Sequence, residues 1–163
     1  MRADAIHIEP VTQAPYLDQI KLLFAEYVDS LPFPLTFQDF QTEMTELPGR
    51  YGPPEGCILA AIDSQVEASK SVIGCIALKK LSPGICEMKR LFIRPAYRGM
   101  ALGRRLSEAL LAQARLLGYQ RMRLDTIATM QAAVQLYRSL GFTEIPPYYD
   151  NPIPDALFLE CRL

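Results

Sequence analysis

The chain has no Cys-x-x-Cys pair, only one histidine, and no apolar run long enough to cross a membrane; each lack removes a class of function. Its four cysteines stand far apart, at 57, 75, 86 and 161. Zinc and dithiol redox motifs need closer pairs, so reduced, buried thiols in a cytoplasmic protein are expected. His7 alone excludes a multi-histidine metal site, and a Ser-His-Asp triad would have to use this one residue, which falls in an expected first strand. No metal is expected. A bilayer span needs about 20 consecutive apolar residues, and the N-terminus carries Arg2, Asp4 and Glu9 in place of the apolar stretch of a signal peptide. Internal repeats and a basic tail are also missing. Neither Gly-x-x-x-x-Gly-Lys-Ser/Thr nor Gly-x-Gly-x-x-Gly occurs, which weakens a reading as a nucleotide-binding strand-helix unit.

What is present fits one globular domain spanning residues 1–163. Charge is unevenly spread. Residues 86–124 hold nine basic side chains against only Glu87 and Glu108, a segment charge of +7, which leaves −8 on the remainder. Such a segment suggests a local anionic ligand more than a general nucleic-acid surface. Taken alone, it is better explained by two solvated helix and strand faces with no partner.

Residues 5–11 read as a short strand, and 15–30 as a helix in which Leu17, Ile20, Leu23, Phe24 and Tyr27 recur every three or four positions. Pro32 and Pro34 break that helix. A second helix is expected over 36–46, and the Gly/Pro content of 48–56 marks a loop. Strands are expected at 57–63, 71–79 and 85–94. An amphipathic helix follows over 101–117, with Leu102, Leu106, Leu110, Ala114 and Leu117 on one face and Gly118 as its stop. Then come a strand at 120–126, a helix at 130–140 and closing strands at 142–145 and 156–162. This order predicts an α/β (α+β) fold, a mixed sheet with helices on its faces.

The decisive segment runs from Leu91 to Arg104, where a strand ends, a loop turns, and a helix begins among the small residues Gly99, Ala101 and Gly103. The first N–H groups of a helix have no intrahelical acceptor and lie at the positive end of its dipole, so they form a phosphate site. Arg98 and Arg104 add charge. A second segment, Ala133-Val134-Gln135-Leu136-Tyr137-Arg138-Ser139-Leu140-Gly141-Phe142, follows. With Arg-x-x-Gly/Ala-x-Gly at 98–103 and Ala-x-x-Leu-Tyr-x-x-x-Gly-Phe at 133–142, the chain resembles the GNAT (general N-acetyltransferase) superfamily over about residues 57–145.

The resemblance implies a mostly antiparallel central sheet, opened between its fourth and fifth strands to receive acetyl-CoA, with a cofactor-binding core over about 85–145. It assigns the pantetheine arm to backbone groups of Leu91, Phe92 and Ile93. The pyrophosphate falls to Arg98, Gly99, Met100, Ala101, Leu102, Gly103 and Arg104, and the general acid to Tyr137. Ala101 stands where many members have glycine, and Met130 where many have an asparagine that holds the pantetheine arm. In the protein-lysine branch the base coincides with Glu87. That branch, an N-terminal acetyltransferase and a CoA-sensing module without catalysis are the alternatives to a small-molecule enzyme.

The chemistry also follows from the residues. An amine with a pKa near about 10.4 is almost wholly protonated at neutral pH and cannot attack a thioester, so a base must remove a proton. Glu87 lies six residues before Ile93 in the same expected strand, which predicts that both side chains share one face. A surface glutamate paired with Lys89 across one face explains Glu87 equally well. Strand N–H groups near Leu91 would stabilise the oxyanion, and Tyr137 would protonate the departing thiolate unless it is only core packing beside Leu136 and Leu140. Asp125 and Thr126 are expected on the acceptor side, framed by Phe33, Phe37, Tyr148, Tyr149 and Asp150. The expected partner is a small-molecule amine, with no nucleic acid and no membrane, and a homodimer is compatible with the sequence. The −8 remainder points to a cationic amine.

Overall fold

A computed structural model of the chain describes residues 2–35 and 39–163. Its sheet has seven strands: β1 (Ile6–Pro10), β2 (Cys57–Asp63), β3 (Val72–Ser82), β4 (Ile85–Ile93), β5 (Arg121–Ile127), β6 (Thr143–Ile145) and β7 (Ala156–Arg162). They lie in the order β1-β2-β3-β4-β5-β7-β6. All neighbours are antiparallel except β4 and β5, which run parallel. The helices are α1 (Tyr16–Ser30), α2 (Phe40–Glu46), α3 (Leu102–Leu116) and α4 (Gln131–Ser139). The expected start of the second helix, and Phe37, lie outside the described residues.

Each face of the sheet has its own core. On one side α1 lays Ile20, Leu23 and Phe24 over Ile58, Ala60, Ile62 and Cys75. Leu31 after it is extended (φ −81°, ψ 144°), the conformation that a following proline imposes. On the other side α3 buries Leu102, Leu106, Leu110 and Ala114 against Leu59, Ile76 and Leu78. Leu117, expected on that face, is 40% exposed, because it caps the helix and the chain has already turned away. Gly118 follows in the left-handed region (φ 89°), and the N–H groups of Gly118 and Tyr119 close on the carbonyls of Arg115 and Ala114.

One irregularity rearranges β4. Between the pairs Ala77↔Lys89 and Cys75↔Phe92, β4 spends one residue more than β3, and Arg90 sits there at φ 60°. A bulge of this kind inverts the alternation of side chains. Cys86 and Met88 therefore join the α3 side before it, and Leu91 and Ile93 join that side after it. Glu87 and Ile93 consequently do not share a face. The expectation that they do fails because simple counting assumes an unbroken strand.

Candidate active site

The sheet is split where the resemblance places the cofactor. β4 and β5 are paired only through Ile85↔Arg121, Cys86↔Met122 and Glu87↔Arg123. Beyond that point they diverge around a cavity of about 940 Å³. Residues 88–93 line one wall and 124–127 the other. Six consecutive residues of β4 contribute, from both faces of the strand, so the wall is the strand's backbone edge. With no strand opposite, that edge offers its amide and carbonyl groups to whatever fills the cleft.

Of the residues assigned to the cofactor, Leu91, Phe92, Ile93, Arg98 and Gly103 line this cavity, as does Tyr137. Residues 99–102 form the turn between two lining residues. Leu102 turns its side chain into the core, so only its backbone is available. No side chain caps the start of α3, where the first helical bond runs from the Arg105 N–H to the Ala101 carbonyl. The N–H groups of residues 102–104 are thus the uncapped donors of a 15-residue helix. Arg98 donates from Nε to the Ile93 carbonyl at 3.1 Å and stacks over Phe92, which holds its guanidinium beside the cleft. Arg104 points along the helix surface to Glu108 and Ser139.

Ala101 occupies the left-handed region (φ 60°). This explains physically why glycine suits the position: a Cβ costs about 1–2 kcal/mol there. Ala101→Gly is expected to stabilise the protein by up to about 1 kcal/mol, read as a rise in Tm of about 2–4 °C. A fall in Tm would show that Ala101 contributes packing that outweighs its backbone conformation.

Tyr137 is buried on α4, edge-to-face with Phe142 at 6.0 Å. Burial raises the pKa of its phenol well above the ordinary value, with smaller contributions from Tyr27 and Asp125. The hydroxyl therefore stays protonated at neutral pH. Met130 lines the cavity too and has no strong hydrogen-bonding group; Thr129, Gln131 and Gln135 are the polar side chains beside it.

Glu87 does not line the large cavity. It is 2% exposed and faces a second cavity of about 350 Å³. Its Oε1 lies 3.5 Å from both Lys79 Nζ and Lys89 Nζ, and its Oε2 accepts a hydrogen bond from the Tyr148 hydroxyl. The expected pairing with Lys89 is present, but buried. Lys89 also reaches Asp125 at 3.5 Å. Asp125 in turn accepts hydrogen bonds from Tyr149 and from Asn151 Nδ2. Asp125 and Thr126 line the large cavity, and so does Phe33. Asp150 is exposed and lines neither.

Some contributions were not legible in the sequence. Lys89, expected only as a partner of Glu87, and Arg90 line both cavities and mark where they meet. Arg90 donates from Nε and Nη2 to Glu43 of α2, at 2.8 and 2.9 Å, and its guanidinium lies over Tyr27 and Phe40. α2 has no buried residue of its own, so this pair is a main tie to the sheet. No periodicity links positions 43 and 90.

A model of the acetyltransferase (GNAT) family matches residues 20–142. The chain belongs to that family. It is 39% identical to an uncharacterized N-acetyltransferase of Schizosaccharomyces pombe, an alignment that covers 100% of this chain and 98% of that one. In fold it is similar to an acetyltransferase from Streptococcus agalactiae (TM-score 0.78, 24% identity, 98% and 99% of the two chains). It is likewise similar to a GNAT acetyltransferase from Elizabethkingia anophelis solved with acetyl-CoA bound (TM-score 0.66, 19% identity, 98% and 99%). The protein is thus an acetyl-CoA-dependent N-acyltransferase with a mixed, mostly antiparallel sheet flanked by helices. No helix among the described residues is long and apolar enough to cross a membrane.

Proposed function

We propose that the enzyme, acting as one domain in the cytoplasm, moves the acetyl group of acetyl-CoA directly to the amine of a small molecule. The observation that carries this reading is the opening between β4 and β5, with bare backbone edges, a helix N-terminus at one end and Tyr137 in its wall. The amides of the pantetheine arm would bond the β4 edge at Leu91, Phe92 and Ile93, much as an added strand does. The pyrophosphate would meet the N–H groups of residues 102–104, with Arg98 beside them. The acceptor would enter through the smaller cavity, whose roughly 350 Å³ suits a small molecule.

Direct transfer fits the thiols. All four cysteines are free and buried. Burial pushes Cys57 and Cys161 up to about 11 and Cys86 to about 12, and Cys75 higher still. None would supply a thiolate nucleophile at neutral pH. Attack by the neutral amine forms the new C–N bond and an oxyanion, which the β4 edge near the Arg90 bulge would hold. Collapse breaks the C–S bond. The same burial that keeps Tyr137 protonated makes its phenol a weak acid, so its part is a hydrogen bond to the developing thiolate that strengthens as charge builds on sulfur. Glu87 faces the acceptor side and would take the amine proton, directly or through the Tyr148 hydroxyl that it binds.

The test is CoA release from acetyl-CoA with a panel of amines, run with wild type and Glu87→Gln between pH 7 and 9. With a lysine-like acceptor, deprotonation at pH 7 costs about 4 kcal/mol. The substitution should then cut kcat/KM strongly at pH 7 and progressively less as free amine becomes abundant. A loss of the same size at every pH would make Glu87 a positioning residue, and a full-strength profile in the mutant would remove it from the mechanism. No CoA release with any amine would overturn the small-molecule reading.

A further inference from the structure

The smaller cavity carries a charge arrangement that whole-chain counting does not show. Lys79 and Lys89 converge on a single oxygen of Glu87, each at 3.5 Å, while its other oxygen is occupied by Tyr148. One carboxylate cannot neutralise two ammonium groups, and Lys89 has Asp125 as a second counter-ion. Lys79 has no second carboxylate among the described residues, although its side chain is only 19% exposed. Arg50, from the turn Gly49–Tyr51, lines the same cavity and forms no ion pair among the described residues.

The acidic residues of this cavity do not fill the gap. Glu43 is engaged by Arg90 and by the Tyr51 hydroxyl. Asp39, which accepts a hydrogen bond from Thr42, and Glu46 are exposed at the α2 end, where water and salt weaken their reach. The Lys79 ammonium is correspondingly destabilised: burial lowers its pKa, Lys89 and Arg50 push the same way, and Glu87 opposes them. Arg50 is itself exposed, and an anion between it and Lys79 would give each a counter-ion of its own.

We infer that the acceptor carries a carboxylate beside its amine, and that Arg50 and Lys79 bind that carboxylate. The inference rests on the acetyltransferase reading and specifies its acceptor. The amine of such a molecule would lie toward Lys89 and Arg90, where the two cavities meet. Its carboxylate would lie at the far side of the small cavity. Guanidinium matches a carboxylate in a two-pronged geometry, and the lysine adds a point charge. The −8 of the chain outside residues 86–124 is therefore a poor guide to the acceptor. Most of it is solvated, whereas Lys79 is largely shielded and Arg50 lines the exposed mouth of the same cavity.

Matched acceptors test this. Initial rates of CoA release are measured at saturating acetyl-CoA for a panel of free amino acids, each against its C-terminal amide. The amide has the less basic amine, so it would be the faster acceptor if the carboxylate were ignored. The expected result is at least one acid used with kcat/KM about tenfold or more above its amide. Arg50→Met should lower kcat/KM for that acid about 10–100-fold, mainly through KM, change the amide far less, and be partly rescued by Arg50→Lys; Lys79→Met should slow both acceptors through its contact with Glu87, but the acid more. Amides equal to or better than the acids would overturn the inference while leaving the acetyltransferase standing. So would an Arg50→Met enzyme that slows acid and amide alike. If no member of any pair is acetylated, the inference also fails, and calorimetry with acetyl-CoA then reports separately on the cofactor site.

Discussion

Tyr137→Phe is expected to lower kcat by about 10²–10³-fold, the usual worth of one positioned hydrogen-bond donor to a developing anion, with acetyl-CoA affinity nearly unchanged. The substitution removes one oxygen and keeps the ring, so the edge-to-face contact with Phe142 survives and stability should change little. The loss therefore isolates the hydroxyl. Because burial raises the phenol pKa above its ordinary value of 10.0, the proton stays on Tyr137 throughout the range in which the enzyme is assayed. A donor role fails only when its proton leaves, so ionisation of Tyr137 should impose no alkaline fall in rate below about pH 10. Any limb between pH 7 and 9 must come from the amine or from the Glu87 side. The measurement is kcat in both proteins, with a pre-steady-state experiment to show that chemistry limits turnover. Unchanged turnover under that condition would reduce Tyr137 to packing.

Gly103→Glu should abolish acetyl-CoA binding, with affinity lowered at least about 100-fold, or about 2.8 kcal/mol. A Cβ at Gly103 would meet Leu136 Cδ2 at 3.5 Å, an ordinary contact, so a methyl group is accommodated. The rest of a glutamate must run past Leu136 into the cleft that Gly103 lines, where it brings bulk and a negative charge to the proposed phosphate site. The folded protein should tolerate the change, because an acidic side chain in the first turn of a helix is favoured by the helix dipole. Gly103→Ala is the control: it should retain binding and, through helix propensity, lose no stability. For wild type, acetyl-CoA at 100 times its Kd adds about 2.7 kcal/mol of stability, a rise in Tm of about 5–10 °C in a chain of this size. Gly103→Glu should show the same melting temperature with and without ligand. If wild type binds no acetyl-CoA by calorimetry at millimolar concentration, the assignment of residues 98–104 is wrong.

The proposed cofactor half of this protein is legible in its sequence because it is local. A strand, a turn of small residues and a helix N-terminus are consecutive along the chain, and the donors that would hold a pyrophosphate are backbone groups whose direction follows from helix geometry alone. The order of strands and helices is legible for the same reason, since periods of two and 3.6 are short-range signals. Tyr137 could be named because it sits in a motif, although only the fold brings it to the wall of the β4–β5 opening.

The acceptor half is a product of tertiary structure. Arg90 adopts φ 60°, and the resulting bulge inverts the sides of β4, so Glu87 faces the small cavity while Ile93 lies on the α3 side. No count of residues reveals a bulge, because it arises from how β3 pairs with β4. Glu43 meets Arg90 across 47 positions, and Tyr148 meets Glu87 across 61. Lys79 and Arg50 come together only when β3 and the turn Gly49–Tyr51 wall the same cavity. Charge summed along the chain pointed to a cationic acceptor. Charge placed in space instead gathers Lys79 and Arg50 on one cavity, because electrostatic interactions depend on distance and burial and not on sequence separation.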